Sequence, residues 1–216
     1  MQNVIERERY ASPGPRPQPL AFDRETLWVG CWDDARLYAI DTRKWSVLDE
    51  VAAPGKPFGM AAFGGELRVV IADEADDRYF YRFVPGQGFD TESKTPCPEL
   101  TGSHLTSDGS TLYLLQMANQ RILRFDAAGA ILGEIALPTR CAGIAFGSSR
   151  FYVISTDDEF EQMHLAKLDL QASRPDIEQL AEMPSEARAL AFDGAAMWTS
   201  LREASEIVSF TIPPVN

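Results

Sequence analysis

The chain has 216 residues, of which 45% are hydrophobic, enough to form a sizeable core in one or two domains. Its 32 acidic residues against 20 basic ones give a formal net charge of −12 at pH 7. This balance argues against nucleic acid and anionic membrane surfaces as partners, because binding to phosphates needs clustered Lys and Arg. No apolar run reaches the roughly 18–20 residues that cross a bilayer.

The N-terminal segment and the cysteines bear on the cellular compartment of the protein. The N-terminal MQNVIERERY carries charges where a signal peptide needs an apolar centre. Cys31, Cys97 and Cys141 are odd in number and widely spaced, and no C-x-x-C pair is present. This pattern predicts reduced thiols, without a disulfide framework or a zinc cluster. We therefore expect a cytoplasmic protein.

One phrase recurs five times along the chain: PLAFDRETLWVG, MAAFGGELRVVI, HLTSDGSTLYLL, GIAFGSSRFYVI and ALAFDGAAMWTS. The residues before the central turn are Phe22, Phe63, Ser107, Phe146 and Phe192, at spacings of 41, 44, 39 and 46 residues. A period near 40–45 residues is typical of the four-stranded blades of β-propellers.

Within each unit the strands follow in chain order. The phrase itself predicts a first strand, a tight turn such as Asp108-Gly109, and a second strand rich in aromatic and β-branched residues. Third strands are predicted at 37–41, 79–83, 122–126, 165–169 and 207–210. Fourth strands are predicted at 46–51, 131–135 and 177–180, with an indistinct one within 88–95.

The fifth unit lacks a fourth strand, whereas the strand-like segment NVIERERY (3–10) precedes the first unit. We predict that this segment forms the outer strand of the last blade and so closes the ring. The predicted fold is an all-β, five-bladed propeller in a single domain over 1–216. Its blades are expected at about 17–56, 57–99, 100–139, 140–184 and 185–213. A β-sandwich or an α/β fold is the alternative, since 155–170 and 185–190 also fit helices.

Strand alternation predicts where a ligand would bind. The loops that lead into the first strands and those that join second to third strands lie on one face of the ring. The candidate ligand-binding residues in and near these loops are Arg16, Gln18, Trp32, Phe58, Met60, His104, Arg140, Arg188 and Arg202. Several guanidinium groups around one axis suit a carboxylate or phosphate, which Arg binds in bidentate fashion. The alternative is that these arginines pair with neighbouring carboxylates and only tie loops together.

Catalytic and metal-binding roles have fewer candidates. His104 is the only histidine placed to face the channel, as a general base, a metal ligand or a structural residue, and Glu186 is the second catalytic candidate. The acidic loops suggest Ca²⁺ or another divalent cation, or else solvated loop tips. The candidate metal ligands are Asp73, Asn119, Asp157 and Glu186. No G-x-S-x-G, P-loop, H-E-x-x-H or G-x-G-x-x-G motif is present, and no cofactor is required.

The unit AFDG..LW followed by I.RFD..G....EI resembles the NHL, SMP-30/gluconolactonase and virginiamycin-B-lyase-like propellers. The short ring of five blades also resembles the glutamine cyclotransferase-like group. The similarity covers most of 19–212 and lies in blade-building residues, so it bears on fold more than on chemistry. Residue by residue, it implies Glu186, Asn119 and loop acids as metal ligands of a lactonase, His104 as the histidine of a lyase, or Glu186 or Asp73 as the acid of a cyclotransferase.

The sequence favours a binding or interaction propeller that recognises a small anionic ligand or a partner protein. A nucleophile, a base and an oxyanion donor cannot be named together from these residues. The alternatives are a metal-dependent lactonase or lyase and a glutamine cyclotransferase. Neither nucleic acid nor a membrane is expected as a partner, and the sequence leaves the oligomeric state open.

Overall fold

Twenty β-strands make up nearly all of the regular structure in the computed structural model, which describes residues 1–170 and 175–213. The first blade contains β2 (Pro17–Asp23), β3 (Thr26–Cys31), β4 (Arg36–Asp41) and β5 (Ser46–Ala52). The second contains β6 (Lys56–Phe63), β7 (Glu66–Ala72), β8 (Arg78–Val84) and β9 (Gly88–Pro96). A short 3₁₀ turn at Pro98–Leu100 leads into the third blade.

The third blade contains β10 (His104–Ser107), β11 (Leu112–Gln116), β12 (Arg121–Phe125) and β13 (Ile131–Ala136). The fourth contains β14 (Arg140–Gly147), β15 (Arg150–Thr156), β16 (Met163–Asp169) and β17 (Asp176–Met183). The fifth contains β18 (Ala191–Phe192), β19 (Met197–Leu201), β20 (Glu206–Thr211) and the N-terminal β1 (Ile5–Ala11).

Each blade is a separate antiparallel sheet of four strands, ordered from the channel outward. The five sheets confirm the predicted five-bladed β-propeller. The alternative with helices is wrong, because residues 155–170 lie largely in β15 and β16 and their connection. The strand left indistinct within 88–95 is β9.

The N-terminal strand closes the ring, as predicted. β1 pairs antiparallel with β20, with Ile5 opposite Thr211 and Ala11 opposite Glu206. β20 therefore has a partner on both sides, which removes an unpaired edge from the last blade.

A stack of three aromatic rings links the closing strand to both ends of the ring. The Tyr10 ring in β1 stacks on Trp45 at 4.1 Å between centroids, and Trp45 stacks on Trp198 at 6.0 Å. Trp45 lies in the first blade, and its indole N–H donates to the Ala11 carbonyl at 3.0 Å. The last blade is thus fastened to the first by side chains as well as by the β-ladder.

The apolar core lies between neighbouring blades and is divided into clusters. Trp28 and Leu37 of the first blade pack with Leu67 and Phe83 of the second, and similar clusters fill the other four blade interfaces in the described part of the chain. Every blade buries apolar surface on both sides, so opening the ring anywhere would expose two blade faces to water.

The recurring phrase has a physical role in three of the blades. A turn aspartate accepts backbone N–H groups with Oδ1, and its Oδ2 accepts a hydrogen bond from an aromatic ring in the next strand. The bonds to Oδ2 run from Trp28 Nε1 to Asp23 at 2.7 Å, from the Tyr113 hydroxyl to Asp108 at 2.8 Å, and from Trp198 Nε1 to Asp193 at 2.7 Å. The ring is buried in each case and its polar atom gains a partner.

We expect D193N to lower the free energy of unfolding by about 1–3 kcal/mol, because the new amide N–H₂ group cannot accept the Trp198 indole proton. D126N is the matched control. Asp126 accepts the turn amides of Ala128 and Ala130, with no aromatic donor among its described bonds. Urea unfolding of both variants measures the difference, and an equal or larger loss in D126N would contradict this role.

Candidate functional site

The predicted loops meet on one face of the ring. The Trp32 amide donates to the Arg16 carbonyl at 3.2 Å, and the Arg202 amide donates to the Glu186 carbonyl at 3.3 Å. Each bond joins a loop that leads into a first strand with the loop between the second and third strands of the same blade. We define the channel mouth as Gln18, Trp32, His104, Arg188 and Arg202, which lie on this face.

Two glycines let the inner strands approach closely below the channel mouth. A Cβ atom on Gly59 would lie 2.9 Å from the Cα of His104, and one on Gly143 would lie 3.0 Å from the Arg188 carbonyl oxygen. Any larger residue would push the neighbouring strand away. The two glycines therefore allow His104 and Arg188 to lie close against the inner strands of the preceding blades.

His104 lies within electrostatic range of two arginines of the fifth blade. It lies in the third blade, whereas Arg188 and Arg202 belong to the fifth, and these blades are not neighbours in the ring. His104 is only 4% exposed. Burial, together with repulsion from the Arg188 and Arg202 guanidinium groups, lowers the pKa of His104 to about 3. The ring is therefore neutral at pH 7, with one nitrogen as donor and the other as acceptor.

Arg202 connects the buried and exposed parts of the channel mouth. Its Nε donates to Glu203 at 3.0 Å, its Nη1 donates to the Gln18 side-chain oxygen at 3.4 Å, and its guanidinium lies 4.6 Å from the Trp32 ring centroid. Gln18 is 4% exposed. Its side-chain nitrogen has no hydrogen-bond acceptor among residues 1–170 and 175–213.

Arg188 is held differently from the other arginines of this face. Its Nη1 donates to the carbonyl oxygens of Ser185 at 2.9 Å and Ala187 at 2.8 Å. Burial and repulsion from Arg202 lower the pKa of Arg188, although the guanidinium stays charged at neutral pH. In the described part of the chain no carboxylate lies within 4.0 Å of it. A positive charge at the channel mouth is thus left without a direct anionic partner.

The rim beside Trp32 combines aromatic and acidic groups. Arg16 contacts Glu203 at 3.4 Å and Asp33 at 3.7 Å, which pairs its charge. The Trp32 and Phe58 rings are 4.5 Å apart, and the Trp32 indole N–H donates to a backbone carbonyl at 2.6 Å. Phe58 is covered by the Arg78 guanidinium at 3.5 Å.

Two of the predicted ligand-binding residues lie away from this group. Arg140 pairs with Asp158 at 3.2 Å and lies 5.9 Å from the Phe160 ring centroid. Met60 is 2% exposed and belongs to the core between the first and second blades. The alternative in which arginines only tie loops together describes Arg16 and Arg140, but it does not describe Arg188. The binding role of each residue stays a prediction.

The candidate metal ligands are distributed over four loops. Asp73 and Asp157 accept backbone N–H groups of their own loops, Asn119 donates to Glu99 at 2.7 Å, and Glu186 accepts the Ala204 amide at 2.7 Å. Among the described residues, no three His, Cys, Asp or Glu side chains are placed to hold a metal ion together. Glu186 likewise has its Oε2 engaged by the backbone, so the lactonase-like ligand set is not assembled by these residues.

All three cysteines are buried and free. Burial raises the pKa of Cys31, Cys97 and Cys141 to about 12, so each is a protonated thiol at neutral pH. A protonated thiol is a poor nucleophile. Cys141, although it lies in an inner strand, therefore acts as a small apolar side chain.

Several cavities lie elsewhere on the propeller. One of about 380 Å³ lies between the second and third blades, and one of about 80 Å³ lies along the channel, lined in part by Leu20, Met60 and Leu105. Three others, of about 510–580 Å³, are lined by turns and outer strands. None of the five is lined by Arg188, Arg202 or His104. The channel mouth is therefore a candidate site because of its charged and polar side chains, and not because of a cavity.

The sequence did not reveal which groups contact the arginines at and beside the channel mouth. Glu203 contacts both Arg16 and Arg202, and the carbonyl groups of Ser185 and Ala187 hold Arg188. The adjacency of Glu203 to Arg202 was a usable signal for the first contact. Every residue has a backbone carbonyl group, so no sequence pattern signals the contacts that hold Arg188.

Comparison with known proteins finds likeness in structure but not in sequence. No family model and no curated protein sequence matches the chain. The glutaminyl cyclase of Myxococcus xanthus matches with a TM-score of 0.73 at 12% identity, covering 100% of both chains. Virginiamycin B lyase from Staphylococcus aureus matches with a TM-score of 0.56 at 18% identity, covering 94% of this chain and 69% of that one.

A third match is the PQQ-bound aldose sugar dehydrogenase of Streptomyces coelicolor, with a TM-score of 0.64 at 14% identity over 99% of this chain and 82% of that one. Within the described residues, none of the helical segments is long and apolar enough to span a membrane. At these identities the likeness establishes fold alone. The chain is a five-bladed β-propeller whose structural neighbours include enzymes.

We expect His104 to make the protein less stable in acid. Because the pKa of His104 is lowered in the folded state, the unfolded chain binds a proton below pH 6.5 that the folded protein does not take up until about pH 3. The free energy of unfolding should therefore fall by about 1.4 kcal/mol per pH unit from this group as pH decreases through that window. H104Q removes this contribution.

The second histidine of the chain, His164, lies in β16 and provides a control. Urea unfolding between pH 4 and 7 compares wild type, H104Q and H164Q. The acid-induced loss should be smaller in H104Q than in wild type, and H164Q should follow wild type because His104 is intact. Parallel losses in wild type and H104Q would show that His104 is not held neutral.

Proposed function

We propose that this propeller binds a small anionic ligand, through a carboxylate or phosphate group, at the channel mouth. The observation that carries the proposal is the Arg188 guanidinium, which is partly buried and fixed by two carbonyl groups. Among the described residues Glu186 and Glu203 act on its charge from a distance, and no carboxylate lies within 4.0 Å of it. Such a charge costs free energy unless an anion joins it.

The second guanidinium strengthens the attraction for an anion. Repulsion from Arg202 helps to lower the pKa of Arg188, and Arg202 also lies beside the buried Gln18 amide. An anion bound between the two guanidinium groups relieves their repulsion and accepts charge-assisted hydrogen bonds. The neutral His104 ring opposite adds no third charge.

The surroundings limit the size of the anion. Glu203 and Asp33 stand at the rim beside Arg16, and the whole chain carries a formal net charge of −12. A polyanion would meet these carboxylates, whereas a small anion can reach Arg188 between them. The Trp32 and Phe58 rings offer apolar surface next to the charged groups.

The fold likeness supports one enzymatic alternative. The Myxococcus xanthus glutaminyl cyclase covers the whole chain, so cyclisation of an N-terminal glutamine is the first activity to assay. Glu186 is the carboxylate that the resemblance offers for the required acid. E186Q is the variant for that assay, because glutamine keeps an oxygen that can accept the Ala204 amide but has no carboxyl group. Ammonia release from a glutaminyl peptide is the readout.

The anion site is tested by isothermal titration of inorganic phosphate and of butyrate into the protein at pH 7 and low ionic strength. We expect at least one of them to bind, and R188Q to weaken that binding about 10- to 150-fold, as for the loss of a hydrogen bond to a charged group. R140Q is the matched control, because Arg140 is paired with Asp158.

R140Q should bind the anion as wild type does, and melting curves establish that both variants are folded. If R188Q binds as tightly as wild type, or if neither anion binds the wild type, the proposed function is wrong.

A further inference from the structure

We infer that a second ligand site lies between the third and fourth blades and binds a small aromatic carboxylic acid through Arg124. Residues of these two blades line a cavity of about 510 Å³, a volume within the range of about 300–1,000 Å³ that is usual for ligand sites. The lining includes the turns between first and second strands at Asp108 and Ser149, so the cavity lies toward the face opposite the channel mouth. It shares no lining residue with the channel mouth and is independent of the function proposed there.

The third strands of three consecutive blades carry a basic residue at the same position. These residues are Arg82, Arg124 and Lys167, and each is the ladder partner of the second residue in the second-strand segments LRVV, LYLL and FYVI. Because the blades repeat, the three basic side chains occupy equivalent places on their sheets. Their surroundings can therefore be compared directly.

Two of these basic residues have a carboxylate in the fourth strand of their own blade. Asp90 is the ladder partner of Arg82 and lies 3.4 Å from its guanidinium group. Glu178 is the ladder partner of Lys167 and lies 2.8 Å from its Nζ. Lys167 also lines the cavity, but its charge is paired with Glu178. In these two blades the fourth strand thus supplies the counterion for the third.

Arg124 lacks this partner, because the fourth strand has Gly133 opposite it. A Cβ atom on Gly133 would lie 2.8 Å from Nη2 of Arg124, so the guanidinium group lies over the glycine. The next residue, Glu134, pairs with Arg121 at 3.0 Å. Within residues 1–170 and 175–213 no carboxylate lies within 4.0 Å of Arg124, and its Nε, shielded from water, has no hydrogen-bond partner there. A shielded donor without an acceptor costs free energy, which a bound anion would recover.

Aromatic rings form an apolar wall of the cavity beside Arg124. Tyr113 is the ladder partner of Arg124, so the two side chains project from the same face of the sheet. The Phe151 ring of the fourth blade packs edge-on against Tyr113 at 4.7 Å between centroids and lies 4.9 Å from the Phe146 ring. The remaining apolar side chains of the lining are Ile135, Leu168 and Leu170. A ligand that fits this cavity carries an apolar ring next to its charged group.

The charges of the lining select a singly charged anion. Arg150 also lines the cavity, and like Arg124 it has no carboxylate partner in the described chain. Asp108 and Asp169 line it as well, and Oδ2 of Asp108 accepts the Tyr113 hydroxyl. A phosphate ester carries a charge of about −1.5 to −2 at pH 7, so these carboxylates would repel it more strongly than a carboxylate ligand. A planar carboxylate also matches the Nε and Nη2 edge of a guanidinium group in bidentate fashion.

Calorimetric titration of four probes at pH 7 and low ionic strength tests the ligand class: phenylacetate, 2-phenylethanol, acetate and phenyl phosphate. The protein used is R188Q, which lacks the guanidinium group proposed to bind anions at the channel mouth. We expect phenylacetate to bind about tenfold or more tightly than 2-phenylethanol, which leaves Arg124 unpaired, and than acetate, which leaves the aromatic wall uncovered. Phenyl phosphate should bind more weakly than phenylacetate. No binding of phenylacetate, or equal or tighter binding of any other probe, would overturn the inference.

A second substitution assigns the binding to this cavity. Added to R188Q, R124Q should weaken the binding of phenylacetate about 10- to 150-fold, as for the loss of a hydrogen bond to a charged group. R82Q is the matched control, because Arg82 occupies the equivalent position in the second blade but is paired with Asp90. It should leave the binding of phenylacetate unchanged. Equal binding with and without R124Q, or an equal loss in R82Q, would overturn the inference.

Melting curves establish that the variants are folded. Should R124Q fail to fold, a crystal structure of the wild-type protein with phenylacetate decides instead. A carboxylate bonded to Arg124, with the ring against Phe151, supports the inference, and a cavity without phenylacetate at saturating concentration overturns it. Neither outcome bears on the anion site at the channel mouth, which rests on Arg188.

Discussion

Closure of the ring is the constraint on which the rest of the structure depends. β1 pairs with β20, and Tyr10 and Trp45 fasten the last blade to the first. A closed ring makes every blade bury both faces, and it fixes the distance across the channel. His104 therefore lies within electrostatic range of the two arginines of the fifth blade because the ring is closed, although they are more than eighty residues apart in the sequence.

At the channel mouth a partly buried charge lowers the stability of the folded protein. Burial and repulsion from Arg202 disfavour the charge of Arg188, which is held by two carbonyl groups and has the Glu186 and Glu203 carboxylates only beyond 4.0 Å among the described residues. Arg16 and Arg140 on the same face lie beside carboxylates. Sites that depart from the rules obeyed by the rest of a protein are often functional. This contrast between arginines of one face is the reason to propose ligand binding at the channel mouth.

The strands could be predicted from the sequence because a blade is a local unit that repeats, and closure by 3–10 followed from one missing strand. Strand alternation also predicted that the loops with the candidate residues lie on one face of the ring. What Arg140 and Arg188 contact could not be predicted, since a side chain's partner depends on neighbours such as Asp158 or on backbone carbonyl groups. The close approach at Gly59 was equally hidden, because it involves the backbone of another blade.

A crystal structure determined in the presence of inorganic phosphate, and a second one with butyrate, tests the central claim most directly. We predict that at least one of these anions lies at the channel mouth, bonded to the Arg188 and Arg202 guanidinium groups and within reach of the Gln18 amide. A structure in which Arg188 is paired with a protein carboxylate, or the absence of both anions from the mouth at saturating concentration, would contradict this claim.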